Sequence, residues 1–474
     1  MASATCGSAS PVSGAAVVGR VQGSFRDPSG FVFYRDGTLL RQVNESYHQE
    51  YDALLASGLY DELTSEGFLV PHEEAPIDRA ATAGAYRVLA PRAVAFVSYP
   101  YEWCFGMLQD AALATLEIQR RALDRGMTLK DASAFNVQFH DGRPILIDTL
   151  SFERHREGEP WIAYGQFCRH FLAPLLLMSL VDVRLGRLLE RYLDGIPLDL
   201  ASRLLPRRSW LRFAPLLHLH LHARSLKRFA GTSLKEGRPA RPVGLRSLLG
   251  LVSTLDGAIR RLSWTARGTE WADYELTHGY SAEAHEAKRR LVAEFLERVR
   301  PGIVWDLGAN TGEYSRLAVE RGARVVAIDG DPAAVERTYQ TARREGDAGI
   351  LPLWIDLSNP SPALGWAHRE RQSLVQRGPA DLVLGLALLH HLAISNNVPL
   401  PSVARLLADL GPRLAIEFAP KKDPQVQRLL ASREDIFTDY DTEGFERAFG
   451  SVYEILDSRP IADSGRRLYL MSRR

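Results

Sequence analysis

An aspartate and two glycines at fixed spacing carry the clearest chemistry in this chain: Ile303-Val-Trp-Asp306-Leu-Gly308-Ala-Asn310-Thr-Gly312-Glu-Tyr314. An apolar run ends in an acid and a glycine-rich turn, and a helical pattern from Tyr314 to Val319 follows. Such a turn lets backbone approach a ligand where a side chain would collide. Seventeen residues beyond Gly312, a second apolar run ends at Asp329. Doubly wound folds place an acid there to hold ribose hydroxyls. The spacing D-x-G-x-x-x-G is not the G-x-G-x-x-G of a dinucleotide site, and no GK[ST] offers a triphosphate cradle. The expected ligand therefore contains a nucleoside but needs no pyrophosphate cradle. S-adenosylmethionine (SAM) meets that description.

The segment resembles motif I of class I SAM-dependent methyltransferases, with Asn310 where their common pattern has a middle glycine. The resemblance implies that Asp306, Gly308, Asn310, Gly312 and Asp329 bind the cofactor. Asp356, in Leu351-Pro-Leu-Trp-Ile-Asp-Leu357, falls where that family keeps an acid near the adenine amino group. Asp381 to Leu392 resembles the fourth strand and the turn facing the methyl group, and it carries His390 and His391. Leu414 to Phe418 would be the fifth strand, and Val452–Leu456 with Arg467–Met471 the closing antiparallel pair. Roughly residues 265–474 are covered.

Methyl transfer needs mainly in-line positioning and exclusion of water, because a sulfonium is already a reactive electrophile. A base helps when the acceptor is a hydroxyl or an amine, and His390 or His391 is the residue for that role. The same pair also reads as a helix cap or a packing feature. No Asn-Pro-Pro-Tyr occurs in the chain, so the acceptor stays open: a small molecule or biosynthetic intermediate is expected.

The N-terminal part holds a second constellation. Asp131 precedes Asn136 by five residues, and Asp148 follows a hairpin pattern that turns at Asp141-Gly142. This order resembles the protein-kinase and aminoglycoside-phosphotransferase superfamily, in which such residues hold a metal-bound nucleotide. Departures argue for a kinase-like fold without activity. No lysine precedes Lys130, so only an arginine such as Arg41 could anchor a phosphate; no G-x-G-x-x-G loop is present, and Asp148 is followed by Thr-Leu. A plain hairpin with a turn aspartate reads equally well. The whole chain also resembles the bacterial family of NoeA-type nodulation methyltransferases, through Tyr99-Pro-Tyr-Glu-Trp103, Leu129-Lys-Asp-Ala-Ser133, Ile147-Asp-Thr-Leu-Ser-Phe152 and Ile416-Glu-Phe-Ala-Pro-Lys-Lys-Asp-Pro424. That family implies methylation of a surface product or in host interaction.

These residues need a scaffold, and 474 residues supply enough chain for two or three domains. The expected class is α/β: a C-terminal Rossmann-like, seven-stranded, mostly parallel sheet with an antiparallel closing hairpin, plus an N-terminal kinase-like α+β domain. The divisions are a tail over 1–22, the kinase-like region over 23–206, a basic helical or linker segment over 207–264, and the methyltransferase region over 265–474. A hairpin is expected over Gly30–Val43 with Asp36-Gly37 at its turn, and a helix over Met107–Leu123.

Hydrophobic content of 46% and charged content of 24% exclude wholesale disorder. With 58 Lys/Arg against 57 Asp/Glu there is no general pull towards nucleic acid or membrane. The basic run Arg203–Arg246 reads as a solvated face near a linker. His218, His220 and His222 alternate with leucines, which on a strand would point them to one side. No carboxylate or thiolate nearby completes a metal site, so none is expected. The apolar run Phe171–Val181 is too short to cross a bilayer and reads as a buried helix. Cys6, Cys104 and Cys168 form no C-x-x-C pair, which fits a reducing cytoplasm. Two rivals remain: an ATP-dependent phosphotransferase, and a ligand-binding adaptor without catalysis.

Overall fold

The computed structural model describes residues 18–211, 215–221, 242–266 and 281–474. The chain is mixed α/β. Its N-terminal half starts with five antiparallel strands: β1 Val18–Arg20, β2 Gly30–Arg35, β3 Thr38–Asn44, β4 His72–Ala75 and β5 Ala85–Pro91, in the order β1-β2-β3-β5-β4. Asp36 and Gly37 have φ of 51° and 75°, the left-handed pair that a two-residue turn between twisted strands demands. Of the tail expected over 1–22, residues 1–17 lie outside the described residues, and Val18–Arg20 pairs with Phe33–Arg35.

The expected central helix spans Phe105–Asp124 and is buried along most of its length. After it come β6 Met127–Leu129, the hairpin β7 Val137–His140 and β8 Arg143–Leu146, and β9 Phe152–Arg154. Asp141 and Gly142 again take left-handed φ at the turn. The apolar run from Phe171 forms a π-turn leading into the helix Ala173–Leu180, whose residues Ala173 to Met178 are buried. Among the described residues no helix is long and apolar enough to cross a membrane.

Leu216–Leu221 is a π-helical turn, so the alternating histidines do not share one side of a strand. His218 bonds the Tyr164 hydroxyl at 2.8 Å, and His220 bonds Ser202 and Ser209 at 2.7 and 2.9 Å while stacking on Trp210. Both are packed, hydrogen-bonded core residues. His222, most of the basic run, and residues 231–241 of the linker composition that spans 231–244 lie outside the described residues. Next comes the helix Leu245–Arg260, whose Leu248, Val252, Leu255 and Ile259 recur at helical spacing and are buried.

The C-terminal half is built on β10 Ile303–Leu307, β11 Arg324–Asp329, β12 Ile350–Trp354, β13 Leu382–Gly385, β14 Arg413–Phe418, β15 Tyr453–Pro460 and β16 Arg467–Arg473. Their order is β12-β11-β10-β13-β14-β16-β15. The first five are parallel and β16 runs antiparallel to β14. Helices cover both faces, which explains why β10 and β11 read as nearly continuous apolar runs. Strand order reverses between β10 and β13. A crevice at such a reversal, beyond the carboxyl ends of the strands, is where open α/β sheets take ligands.

The two halves share one apolar core, with Phe96 edge-on to Trp305 and Phe139 edge-on to Tyr339. Gly106 lets the central helix come close: a Cβ there would lie 2.8 Å from Glu336 Oε1 and 3.1 Å from the Tyr339 ring. Glu336 in turn accepts the Gly106 N–H at 2.8 Å. The deepest tie is Arg377 to Glu102, with two guanidinium bonds of 2.5 and 2.8 Å and both side chains at most 2% exposed. Glu102 also accepts the Tyr99 N–H. Removing one member of a buried pair strands the other charge. Arg377→Ala is expected to lower the unfolding free energy by about 3–5 kcal/mol, read by urea denaturation. A loss under about 1 kcal/mol would mean that water or another cation takes over.

Candidate functional site

The chain after β10 turns sharply: Gly308, Asn310 and Gly312 have φ of 75°, 48° and 77°. The Gly308 and Ala309 N–H groups donate to Ile328 O at 2.8 and 3.0 Å, which ties the turn to β11. Asp329 Oδ2 accepts the Asn310 N–H at 2.8 Å, and its Oδ1 accepts the Asp331 N–H at 2.8 Å. This carboxylate therefore fixes the glycine-rich turn as well as ending its strand. A Cβ on Gly312 would lie 3.0 Å from Thr338 Cγ2, so the close approach of the helix Pro332–Glu345 needs glycine there. The amide oxygen of Asn310 is buried without a hydrogen-bond partner, leaving an acceptor available in the turn.

Asp306 is 2% exposed, and its Oδ2 accepts the Ser315 hydroxyl at 2.7 Å. Burial pushes its carboxyl up to about 6, against the opposing pull of that hydroxyl and of Lys288. Burial also lifts Asp329 to about 6, although backbone N–H groups favour its charge. Asp356 is exposed beyond β12, with its Oδ1 holding the Ser358 N–H and hydroxyl. It adjoins Gly330, where a Cβ would sit 3.9 Å from the Asp356 Cα. The ends of β10, β11 and β12 thus bring Asp306, Asp329 and Asp356 to one rim of the sheet.

The segment after β13 faces the glycine-rich turn, with Leu388 within contact distance of a Cβ placed on Gly308. His390 and His391 follow, with ring centroids 4.2 Å apart. Their surroundings differ. His390 is 0% exposed, with neither ring nitrogen hydrogen-bonded, and burial drives its pKa well below the ordinary range. His391 is half-buried, and burial together with Arg466 brings it down to about 4.

Reading the sequence alone missed the charged group beside them. Glu417, at the end of β14, takes Lys288 Nζ at 2.6 Å and Arg466 Nη1 at 2.7 Å. Arg466 also grips Asp423 through two bonds of 2.5 and 2.9 Å. One signal was present: Lys288 sits in the apolar stripe Ala284, Ala287, Lys288, Val292, Phe295 of its helix, where a solvated lysine does not belong. Arg187 was missed as well. From the N-terminal half it stacks over Trp354 at 4.4 Å and donates to Trp354 O at 2.6 Å, bracing the loop that carries Asp356.

In the N-terminal half the structure does gather Asp131, Asn136 and Asp148. Asp131 Oδ1 accepts the Ser133 N–H and Gln166 Nε2 at 2.9 and 2.8 Å. Ser151 links Asn136 to Asp148, and Arg41 of β3 forms an ion pair with Asp148.

Together these features describe a mixed α/β protein with a glycine-rich, carboxylate-bearing crevice at a sheet reversal. Nodulation protein NoeA of Rhizobium meliloti (strain 1021) is 37% identical over 465 residues, 96% of this chain and 96% of that protein. The chain belongs to the NoeA family. No protein-family model matches it. Similar solved structures include the magnesium protoporphyrin IX methyltransferase ChlM of Synechocystis PCC 6803 with bound SAM: 18% identity, 43% of this chain, 89% of that one, TM-score 0.30. The N-methyltransferase NodS of Bradyrhizobium japonicum WM9 gives 12% identity, 41% and 98% coverage, and TM-score 0.29. The bifunctional kinase-methyltransferase WbdD gives 18% identity, 46% and 45% coverage, and TM-score 0.31. Scores this low carry no argument about this chain's chemistry.

Proposed function

We propose that the chain is a SAM-dependent methyltransferase of class I architecture, transferring a methyl group to a small acceptor that the N-terminal half selects or holds. The observation that carries this reading is the coupling of Asp329 to the Asn310 N–H at the strand-order reversal, with Asp306 and Asp356 on the same rim. The order of the seven strands, with its antiparallel last pair, supports the same class. The residues suit the cofactor. Gly308 and Gly312 open the turn, Asn310 leaves an acceptor oxygen, Asp329 has lone pairs left that would serve ribose hydroxyls, and Asp356, on the same rim, would be the acid that meets an adenine amino group. When bound, SAM supplies an electrophilic methyl group on sulfur. The chain's own part is to orient that group, exclude water and take the acceptor's proton; His391 is the better base of the two histidines because it keeps some exposure.

The test is incubation of purified protein with isotopically labelled SAM and extracts of candidate acceptors, with products read by mass spectrometry. Label appearing in a small product supports the reading; SAM binding without product in every extract would favour the adaptor. The phosphotransferase reading meets an obstacle in the ion pair that already engages Asp148.

Affinity for SAM should depend on pH. Asp306 and Asp329 stand near 6 in the free protein, whereas a cationic ligand and donating hydroxyls favour the ionised carboxylates. Binding then has to expel protons at low pH. The dissociation constant should be flat above about pH 7 and rise as pH falls through 6, by up to about tenfold per unit for each proton displaced. Calorimetry across pH 5 to 8 reads this, and a constant affinity throughout would remove the carboxylates from the site. The same elevation costs the free fold stability, a cost that grows as pH rises from about 4 to 6.

A further inference from the structure

A second cleft, of about 1570 Å³, opens between the N-terminal half and the loop at residues 365–376, and none of the cofactor-site residues named above lines it. Among the described residues, eight arginines and five carboxylates do, with no lysine. Two of those carboxylates are already spent in ion pairs, Glu370 with Arg26 and Asp148 with Arg41. Arg169 and Arg371 have no carboxylate within ion-pair distance among the described residues, and the Nε of each is buried without a hydrogen-bond partner.

Both arginines line this cleft. Arg371 lies 4.3 Å over the Phe135 ring, and His170 meets the same ring edge-on at 6.0 Å. His170 is 2% exposed, and its Nδ1 has no partner. Burial, with Arg169 and Arg371 both adding to it, brings that imidazole down to about 3, so it stays neutral beside them. Asp131 and Asn136 line the same cleft but are satisfied by Gln166, Ser133 and Ser151. At the lip, Trp366 is 73% exposed, and Ala367 and His368 hold φ of 53° and 57°, a conformation that side-chain-bearing residues keep at a cost.

We infer that this cleft binds a diphosphate-bearing small molecule, held by Arg169, Arg371 and His170 without a divalent cation. Half-buried guanidinium groups with an unbonded Nε and no ion-paired carboxylate are most readily satisfied by phosphate oxygens, which accept paired N–H donors. The carboxylate that would have to hold a metal, Asp148, is neutralised by Arg41 instead. The cleft is far larger than a free anion requires, and the exposed Trp366 offers a face on which the rest of the ligand can stack.

The test uses the full chain, inorganic pyrophosphate and ADP, each titrated calorimetrically in EDTA and again in excess magnesium. Saturable binding of either probe in EDTA is expected, weakened at least tenfold in Arg169→Gln and in Arg371→Gln. Arg371→Lys, which keeps the charge but loses the fork, should fall between, and it serves if a glutamine variant does not fold. Two results would overturn the inference. One is the absence of binding of both probes to the wild-type protein. The other is binding that requires magnesium and is lost in Asp148→Asn while both arginine variants retain it, which would mark a metal-nucleotide site. The readout is binding alone, so failure here leaves the methyl-transfer reading untouched.

Discussion

His391→Ala is expected to lower the turnover of methyl transfer by about 10²–10⁴-fold while SAM affinity holds. His390→Leu is expected to leave turnover close to the wild-type value. The contrast follows from burial. His390 has no exposed surface and neither ring nitrogen is hydrogen-bonded, so it cannot touch an acceptor, and an apolar replacement of similar size removes an unsatisfied polar group. His391 keeps part of its surface, and its low pKa of about 4 leaves it neutral and able to accept a proton at pH 7. That value is below the optimum for a general base at neutral pH, which draws the expected loss towards the lower end of the range. The acid limb of turnover should be measured at saturating SAM, because the affinity loss near pH 6 belongs to Asp306 and Asp329. Turnover should then be flat through neutral pH and fall only towards pH 4. An unchanged rate and acid limb in His391→Ala would remove the imidazole from the mechanism.

Much of the C-terminal scaffold is legible in the sequence because the physics there is local. β10 and β11 are buried on both faces, so their apolar runs stand out, and each ends in an acid beside a turn that only particular backbones can make. The two hairpins are equally plain, since Asp-Gly takes left-handed φ at low cost. Periodicity alone is a weaker guide. Alternating His and Leu at 216–221 has the period of a strand, yet the segment is a π-helical turn whose histidines are held by Tyr164, Ser202 and Ser209 from distant parts of the chain.

The part of the candidate site that was not legible depends on long-range pairing. Glu417, Lys288 and Arg466 are brought together by β14, by the helix Ala282–Val299 and by the turn before β16, and no local spacing announces that meeting. Arg187 and Arg371 each work across the boundary between the halves, at Trp354 and at Phe135. The Asp131–Asn136–Asp148 spacing did mark a real cluster. What the spacing could not reveal is that Arg41, arriving from the sheet, already satisfies one of its carboxylates.

Asp329→Ala is expected to weaken SAM binding by more than the ribose contacts alone would suggest. Its two oxygens accept the Asn310 and Asp331 N–H groups, so the substitution also releases the glycine-rich turn that must be held for binding. Charge-assisted hydrogen bonds contribute about 1.5–3 kcal/mol each, and losing two of them to ribose gives a loss of at least about a hundredfold. Disorder in the turn adds to this, since the turn would then have to be ordered at the cofactor's expense. Asp329→Asn separates the two effects. Its amide keeps one acceptor oxygen but places a donor against a backbone N–H, so it should keep part of the turn and lose the charge. Calorimetry should rank affinity wild type, then Asn, then Ala, and both variants should show a shallower fall in affinity below pH 6 than the wild type, because only Asp306 remains to take up a proton. Equal affinity in all three folded proteins would mean that the end of β11 does not meet the ribose.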